Sequence, residues 1–173
     1  MNIILIGYRG SGKTTIGRKL ASQLWKTFVD TDDEVCKRFD NSTIAQIWDE
    51  HGERAFRDME IQVTRELCDR DDLVIGLGGG TVLEAAARAA VEAAQAIRIY
   101  LKCEPKELHQ RISGDQQTAA QRPNLTALGG GVAEIEAVLD EREPVYEAVA
   151  DHVFDVTHVT ADEAVGHLVR MYL

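Results

Sequence analysis

Basic charge is the first shortage: 19 lysines and arginines stand against 29 aspartates and glutamates in 173 residues, a formal net charge of −10. That balance opposes non-specific binding to nucleic acid or to an anionic membrane, so an anionic small molecule must be drawn in by arginines clustered locally. Cysteine is scarce as well. Cys36, Cys68 and Cys103 are odd in number, widely spaced and unpaired in pattern, which argues against a disulfide framework or a zinc site and leaves buried free thiols. No apolar run approaches membrane-spanning length, and no basic stretch with a long apolar segment opens the chain. A soluble, monomeric protein of a reducing compartment, the cytoplasm, is expected. His51, His109, His152, His158 and His167 show no metal-ligand spacing and read as surface residues. Internal repeats are absent too, and the length suits one domain with its own core.

What the sequence does contain is concentrated at its start. Residues 7–14 read Gly-Tyr-Arg-Gly-Ser-Gly-Lys-Thr, directly after the apolar run Ile3 to Ile6 and directly before a helical pattern. This is a P-loop in the strand–loop–helix setting that the motif requires. Gly7, Gly10 and Gly12 permit backbone angles closed to other residues, so that successive N–H groups, Ser11 and Thr15 among their neighbours, can turn around phosphate oxygens. Lys13 adds a point charge at the β and γ phosphates, Thr14 offers a hydroxyl to Mg²⁺, and the helix that starts here points the positive end of its dipole at the same place. Chance produces such a match in a chain this long in on the order of one per cent of cases.

Further along, short apolar runs alternate with helical periodicity. Strands are expected at Ile3 to Ile6, Thr27 to Val29, Leu73 to Ile75, Ala96 to Leu101 and Val153 to Val156. Between them fall helices from Lys13 to Leu24, Glu34 to Phe39 with Asp32 or Asp33 as cap, a short one capped by Ser42 or Thr43, Glu53 to Cys68, Thr81 to Ala94, Pro105 to Ile112, Val132 to Tyr146 and Ala161 to Met171. The alternation predicts an α/β three-layer sandwich around a five-stranded parallel sheet with the first strand central. From Ser113 to Gly131 periodicity fails, and a loop of that length within a domain is usually functional or disordered. Sites in such folds lie at the carboxyl ends of the strands, where the P-loop, Asp30 with Asp32, and Gly78-Gly79-Gly80 all fall.

Each further constellation has two readings. Asp30 and Asp32, two apart in an extended segment, can share one face of the cleft, one serving Mg²⁺ and the other a substrate hydroxyl, or they can simply cap a helix. Arg57 and Glu60, one turn apart, can be a surface ion pair, or Glu60 can hold the guanidinium for a substrate carboxylate. Gly78-Gly79-Gly80 offers unobstructed backbone N–H groups, whereas Gly129-Gly130-Gly131 reads as loop flexibility. Arg122-Pro123 suits a lid that carries a cation to the transferring phosphoryl group, or is an exposed arginine and no more. Arg142 near a helix end can favour the dipole.

In order and at about the right spacing, this set resembles the shikimate kinases over essentially the whole chain: the P-loop, Asp30-Thr31-Asp32, Gly52-Glu53 with Phe56-Arg57 and Glu60, Gly78-Gly79-Gly80, Arg122-Pro123, and Arg142 with Pro144 and Tyr146. The resemblance implies transfer of the γ-phosphoryl of ATP to the 3-hydroxyl of shikimate, with Lys13 and Arg122 on the transferring group. It further implies Thr14 and Asp30 at Mg²⁺, Asp32 on the shikimate hydroxyls, and Arg57 and Arg142 on the carboxylate with Glu60 orienting Arg57. Gly79 and Gly80 would donate backbone bonds to the substrate, Arg111 would lie against adenine, helices over about 31–60 would bind shikimate and residues 113–126 would form the lid. One departure is Asn124-Leu125, where the family often carries two leucines. A kinase for gluconate or for nucleoside monophosphates, and an ATP-dependent switch, are the alternatives.

Overall fold

The computed structural model describes residues 1–115 and 131–172. The apolar runs form five strands: β1 (Asn2–Ile6), β2 (Thr27–Asp30), β3 (Leu73–Gly76), β4 (Ala96–Lys102) and β5 (His152–Asp155). All neighbours are parallel, in the order β2-β3-β1-β4-β5. β1 is therefore central, as expected, and Leu5 pairs with Gly76 on one side and Ile99 on the other. Parallel neighbours cannot be joined by a hairpin, so each connection crosses over and carries helix. The result is the expected three-layer α/β arrangement.

α1 (Lys13–Gln23) buries Ile16, Gly17, Leu20 and Ala21. Gly17 has to be small, because a Cβ there would stand 2.4 Å from the Phe28 ring. α8 (Ala161–Tyr172) packs beside α1, while α4 (Glu53–Cys68) packs against α2 (Thr31–Arg38), α3 (Ile44–His51) and α5 (Ala85–Ala93). α6 (Pro105–Gly114) packs against α7 (Val132–Val149). The core runs through the sheet, with Ile4, Leu5, Val74, Ile75, Ile99 and Leu101 all without exposed surface.

Four expectations shift, each for a local reason. α2 starts at Thr31 rather than near Glu34, because Asp30, still extended, caps it: Asp30 Oδ1 accepts the Asp32 N–H at 3.0 Å. The alanine-rich segment opens as a 3₁₀ turn over Thr81–Leu83 and becomes α5 only after Glu84, whose backbone is extended. α7 continues through Pro144 to Val149, past the expected end at Tyr146. Of the three cysteines, all free, Cys103 is buried but Cys36 and Cys68 are half-buried; burial still pushes the Cys68 thiol up to about 11. Thr43 is the cap of α3, in a reciprocal pair of bonds with Gln46. Among the histidines, His109 is half-buried and the other four are exposed. No helix among the described residues is long and apolar enough to cross a membrane.

Candidate active site

At the carboxyl edge of the sheet lies a cavity of about 450 Å³, lined by Gly10, Gly12, Lys13, Thr14, Thr15, Asp30, Asp32, Gly78, Gly79 and Arg111, with Arg9, Arg18, Asp33, Leu77 and Asp115 completing it. The three strand-end signals thus meet in one place. Gly10 and Gly12 have φ of 83° and 91°, in the left-handed region where a side chain is strained. α1 begins at once at Lys13 and has no acidic residue in its first turn, so the positive end of its dipole is left for an anion. Lys13 Nζ donates to the carbonyls of Gly7 and Tyr8, at 2.7 and 2.9 Å, and Ser11 is fully buried beneath the loop.

β2 brings up the carboxylates. Asp30 divides its two oxygens: Oδ1 caps α2, and Oδ2 accepts from the Thr14 hydroxyl at 3.2 Å. Asp32, 7% exposed, is already in the first turn of α2. The expected extended spacing of the two aspartates is therefore wrong, yet both reach the cavity, because the chain turns into helix between them. Thr14 and Asp30 form an all-oxygen pair of the hard type that suits Mg²⁺, an ion that takes few protein ligands and completes its shell with phosphate and water. Among the described residues no three His, Cys, Asp or Glu side chains cluster to hold an ion alone.

The glycine loop forms the opposite wall. Its Gly78 N–H is taken by Thr31 Oγ1 at 2.8 Å, so Gly78 serves close approach: a Cβ there would stand 2.4 Å from Asp32 Oδ1 and 2.7 Å from Glu60 Oε1. Arg57, 14% exposed, comes from α4 and would meet a Gly80 Cβ at 2.7 Å. Arg142 comes from α7 and donates to the Gly79 carbonyl at 3.0 Å, as does the buried Tyr146 hydroxyl. Two guanidinium groups from distant elements thus converge on adjacent glycines, although Arg57, Glu60, Gly80 and Arg142 do not line the cavity itself.

Glu60 is 1% exposed and bonds Arg57 Nη1 through Oε2 at 2.8 Å. The surface-pair reading of this spacing therefore fails. Burial pushes the Glu60 carboxyl above the usual carboxylate range, with Arg57 pulling the other way and nearby Asp32 adding to the rise. Burial works against the charge of Arg57, but Glu60 more than offsets it and its pKa is raised. Arg111 lines the cavity beside the P-loop, fixed by Glu107 at 2.8 Å and by the Val156 carbonyl at 2.8 Å. Arg122, Pro123, Gly129 and Gly130 lie outside the described residues. Sequence reasoning gave no role to Arg9, Thr31, Thr81 or the hydroxyl of Tyr146; Arg9 lies inside the P-loop and Thr31 and Tyr146 inside the ordered set of motifs, so only Thr81 carried no signal.

A P-loop at the end of the central strand, with a Thr–Asp pair beside it and a five-stranded parallel sheet beneath, defines a P-loop kinase. The model of the family described as "Shikimate kinase" matches residues 9–172, and the chain belongs to that family. A shikimate kinase of Chromobacterium violaceum is 37% identical over 172 residues, which cover 99% of this chain and 90% of the relative. Another, of Rhodopirellula baltica, is 37% identical over 169 residues, 98% of this chain and 89% of the relative. The solved shikimate kinase from Acinetobacter baumannii in complex with shikimate superposes with a TM-score of 0.89 at 30% identity, covering 99% of this chain and 92% of that one.

Proposed function

We propose that this chain transfers the γ-phosphoryl of ATP to the 3-hydroxyl of shikimate, giving shikimate 3-phosphate and ADP on the route to chorismate and the aromatic amino acids. The observation that carries the reading is the convergence of Arg57 and Arg142 on Gly79 and Gly80, beside a P-loop cavity that Asp32 also lines. An acceptor that is both a carboxylate and an alcohol needs both features in one place.

The roles follow from the chemistry. The loop of Gly10, Ser11, Gly12 and Thr15 cradles the ATP phosphates, with Lys13 on the β and γ groups and Arg111 against the base. Thr14 and Asp30 would hold Mg²⁺, which neutralises phosphate charge when bound. Arg57 and Arg142 grip the shikimate carboxylate, a charge-assisted contact whose planar forks also fix the ring's orientation. Asp32 accepts a hydrogen bond from the acceptor hydroxyl and takes its proton as the oxygen bonds to the γ-phosphorus. The bond from that phosphorus to the β–γ bridging oxygen breaks, and ADP leaves with the electron pair. Lys13 and Arg122 meet the charge that spreads over the transferring group, so positioning and neutralisation do most of the catalysis. The chain works as a single domain and a cytoplasmic monomer, with acceptor-binding helices over about 31–60 and the lid over 113–126.

A coupled assay of ADP release with ATP and Mg²⁺ tests this against a panel of acceptors. Turnover is expected with shikimate and not with gluconate or nucleoside monophosphates. Release that ignores shikimate, or that another acceptor stimulates instead, overturns the reading.

A further inference from the structure

Glu60 is a buried carboxylate with both oxygens engaged. Oε2 accepts from Arg57, and Oε1 accepts at 2.6 Å from the hydroxyl of Thr81, a residue with no exposed surface. The two bonds come from different elements, α4 and the 3₁₀ turn, so the plane of the carboxyl group is fixed at both ends. Asp32 approaches the same spot from α2: a Cβ on Gly78 would stand 2.4 Å from Asp32 Oδ1, 2.7 Å from Glu60 Oε1 and 3.0 Å from Thr81 Oγ1. Two carboxylates facing one gap repel each other, and a hydroxyl hydrogen directed at one of them offsets that cost. A hydroxyl buried to this depth also has a price unless it is bonded; shape alone would be met by valine.

We infer that Thr81 is a positioning residue for the acceptor site, its hydroxyl holding Glu60 so that Glu60 in turn holds Arg57 against Gly80. The inference rests on the reading that Arg57 grips the shikimate carboxylate. Without the hydroxyl, Glu60 keeps its burial and its Asp32 neighbour but loses a donor that favours its charged form. It then takes up a proton at higher pH, and Arg57 loses its buried charged partner there, keeping only the exposed Glu53 at 3.5 Å from Nε and the more distant Asp32. Arg57 on its own helix and Asp32 from α2 are the charged groups that bear on Glu60, while α3 contributes the uncharged Trp48 ring, 5.9 Å from the Arg57 guanidinium carbon.

Thr81→Val, which keeps the shape and removes the hydroxyl, tests the inference. The expected result is a rise of about tenfold in the shikimate KM at neutral pH, the loss of one charge-assisted bond, with the ATP KM unchanged. The acid limb of kcat/KM for shikimate moves to higher pH, and Thr81→Ser restores both quantities. Should Thr81→Val fail to fold, Thr81→Ala must show the same movement of the acid limb. An unchanged KM and limb in the variant, or a Thr81→Ser as impaired as Thr81→Val, overturns the inference while wild-type turnover of shikimate leaves the functional reading standing. A wild type inactive with shikimate removes both.

Discussion

Of the three arginine–carboxylate pairs at one-turn spacing on helix α4, the longest joins Arg57 to the exposed Glu53 at 3.5 Å, and the two shorter ones invite comparison. Arg54 and Asp58 lie 2.7 Å apart with side chains 60% and 66% exposed, whereas Arg57 and Glu60 lie 2.8 Å apart with side chains 14% and 1% exposed. Spacing and distance are nearly the same, and the chemistry is not. The exposed pair is screened by water and held by flexible stems, so it contributes little. The buried pair has traded hydration for a fixed geometry, which is costly for stability and useful only if something binds to the part of the guanidinium that Glu60 leaves open. Distance identifies an ion pair; burial identifies the one that a ligand completes.

Substitution should pull the two pairs further apart. The largest effect is expected from Arg57→Ala, which removes a charge-assisted contact of roughly 1.5–3 kcal/mol and so raises the shikimate KM about ten- to over a hundredfold. The ATP KM should stay near its normal value. The fold should survive, because a Glu60 whose pKa is already raised can neutralise itself by taking a proton; an unchanged shikimate KM would sink the carboxylate assignment. Glu60→Gln comes next. The natural side chain is charged only above its raised pKa, so as pH falls through that value the hold on Arg57 weakens and kcat/KM for shikimate drops. Glutamine cannot titrate, so this variant should bind shikimate about tenfold more weakly while losing that acid limb, and a pH profile that keeps the limb would assign it to another group. Smallest is Asp58→Ala, with both KM values unchanged and a stability loss of at most about 0.5 kcal/mol, read by denaturant unfolding. A clear rise in the shikimate KM there would abolish the distinction between the pairs.

The same contrast marks what could be read from the sequence. The P-loop was legible because its chemistry lies in eight consecutive residues, and the sheet because buried strands are short apolar runs. The parallel sheet followed from the alternation of strand and helix and the central place of β1 from its wholly apolar run, but the order of the other strands was not read from the sequence. Glu60 was ambiguous because its surroundings are Asp32 on α2 and Gly78 and Thr81 in the turn after β3, which come from two other segments. Asp30 and Asp32 were read as sharing one extended segment, whereas Asp30 proves to end β2, cap α2 and meet Thr14 at once, with Asp32 already in the helix. Thr81 looked like the start of a helix. Its place in a 3₁₀ turn, facing a buried carboxylate, depends on the backbone break at Glu84, which no periodicity announces.

The placement of β1 between β3 and β4 also bears on how the protein is made. The P-loop leaves the ribosome ahead of residues 73–76 and 96–102, and the strand that supports it has no partners until they have followed. Arg142, which reaches the glycine loop, arrives later still. Parallel pairing of segments so far apart in the chain is slow, since the intervening loops must close before contacts reward them. The nascent chain therefore carries its whole phosphate-binding motif well before it can have a site, and ATP has nothing organised to bind until these later segments have been synthesised.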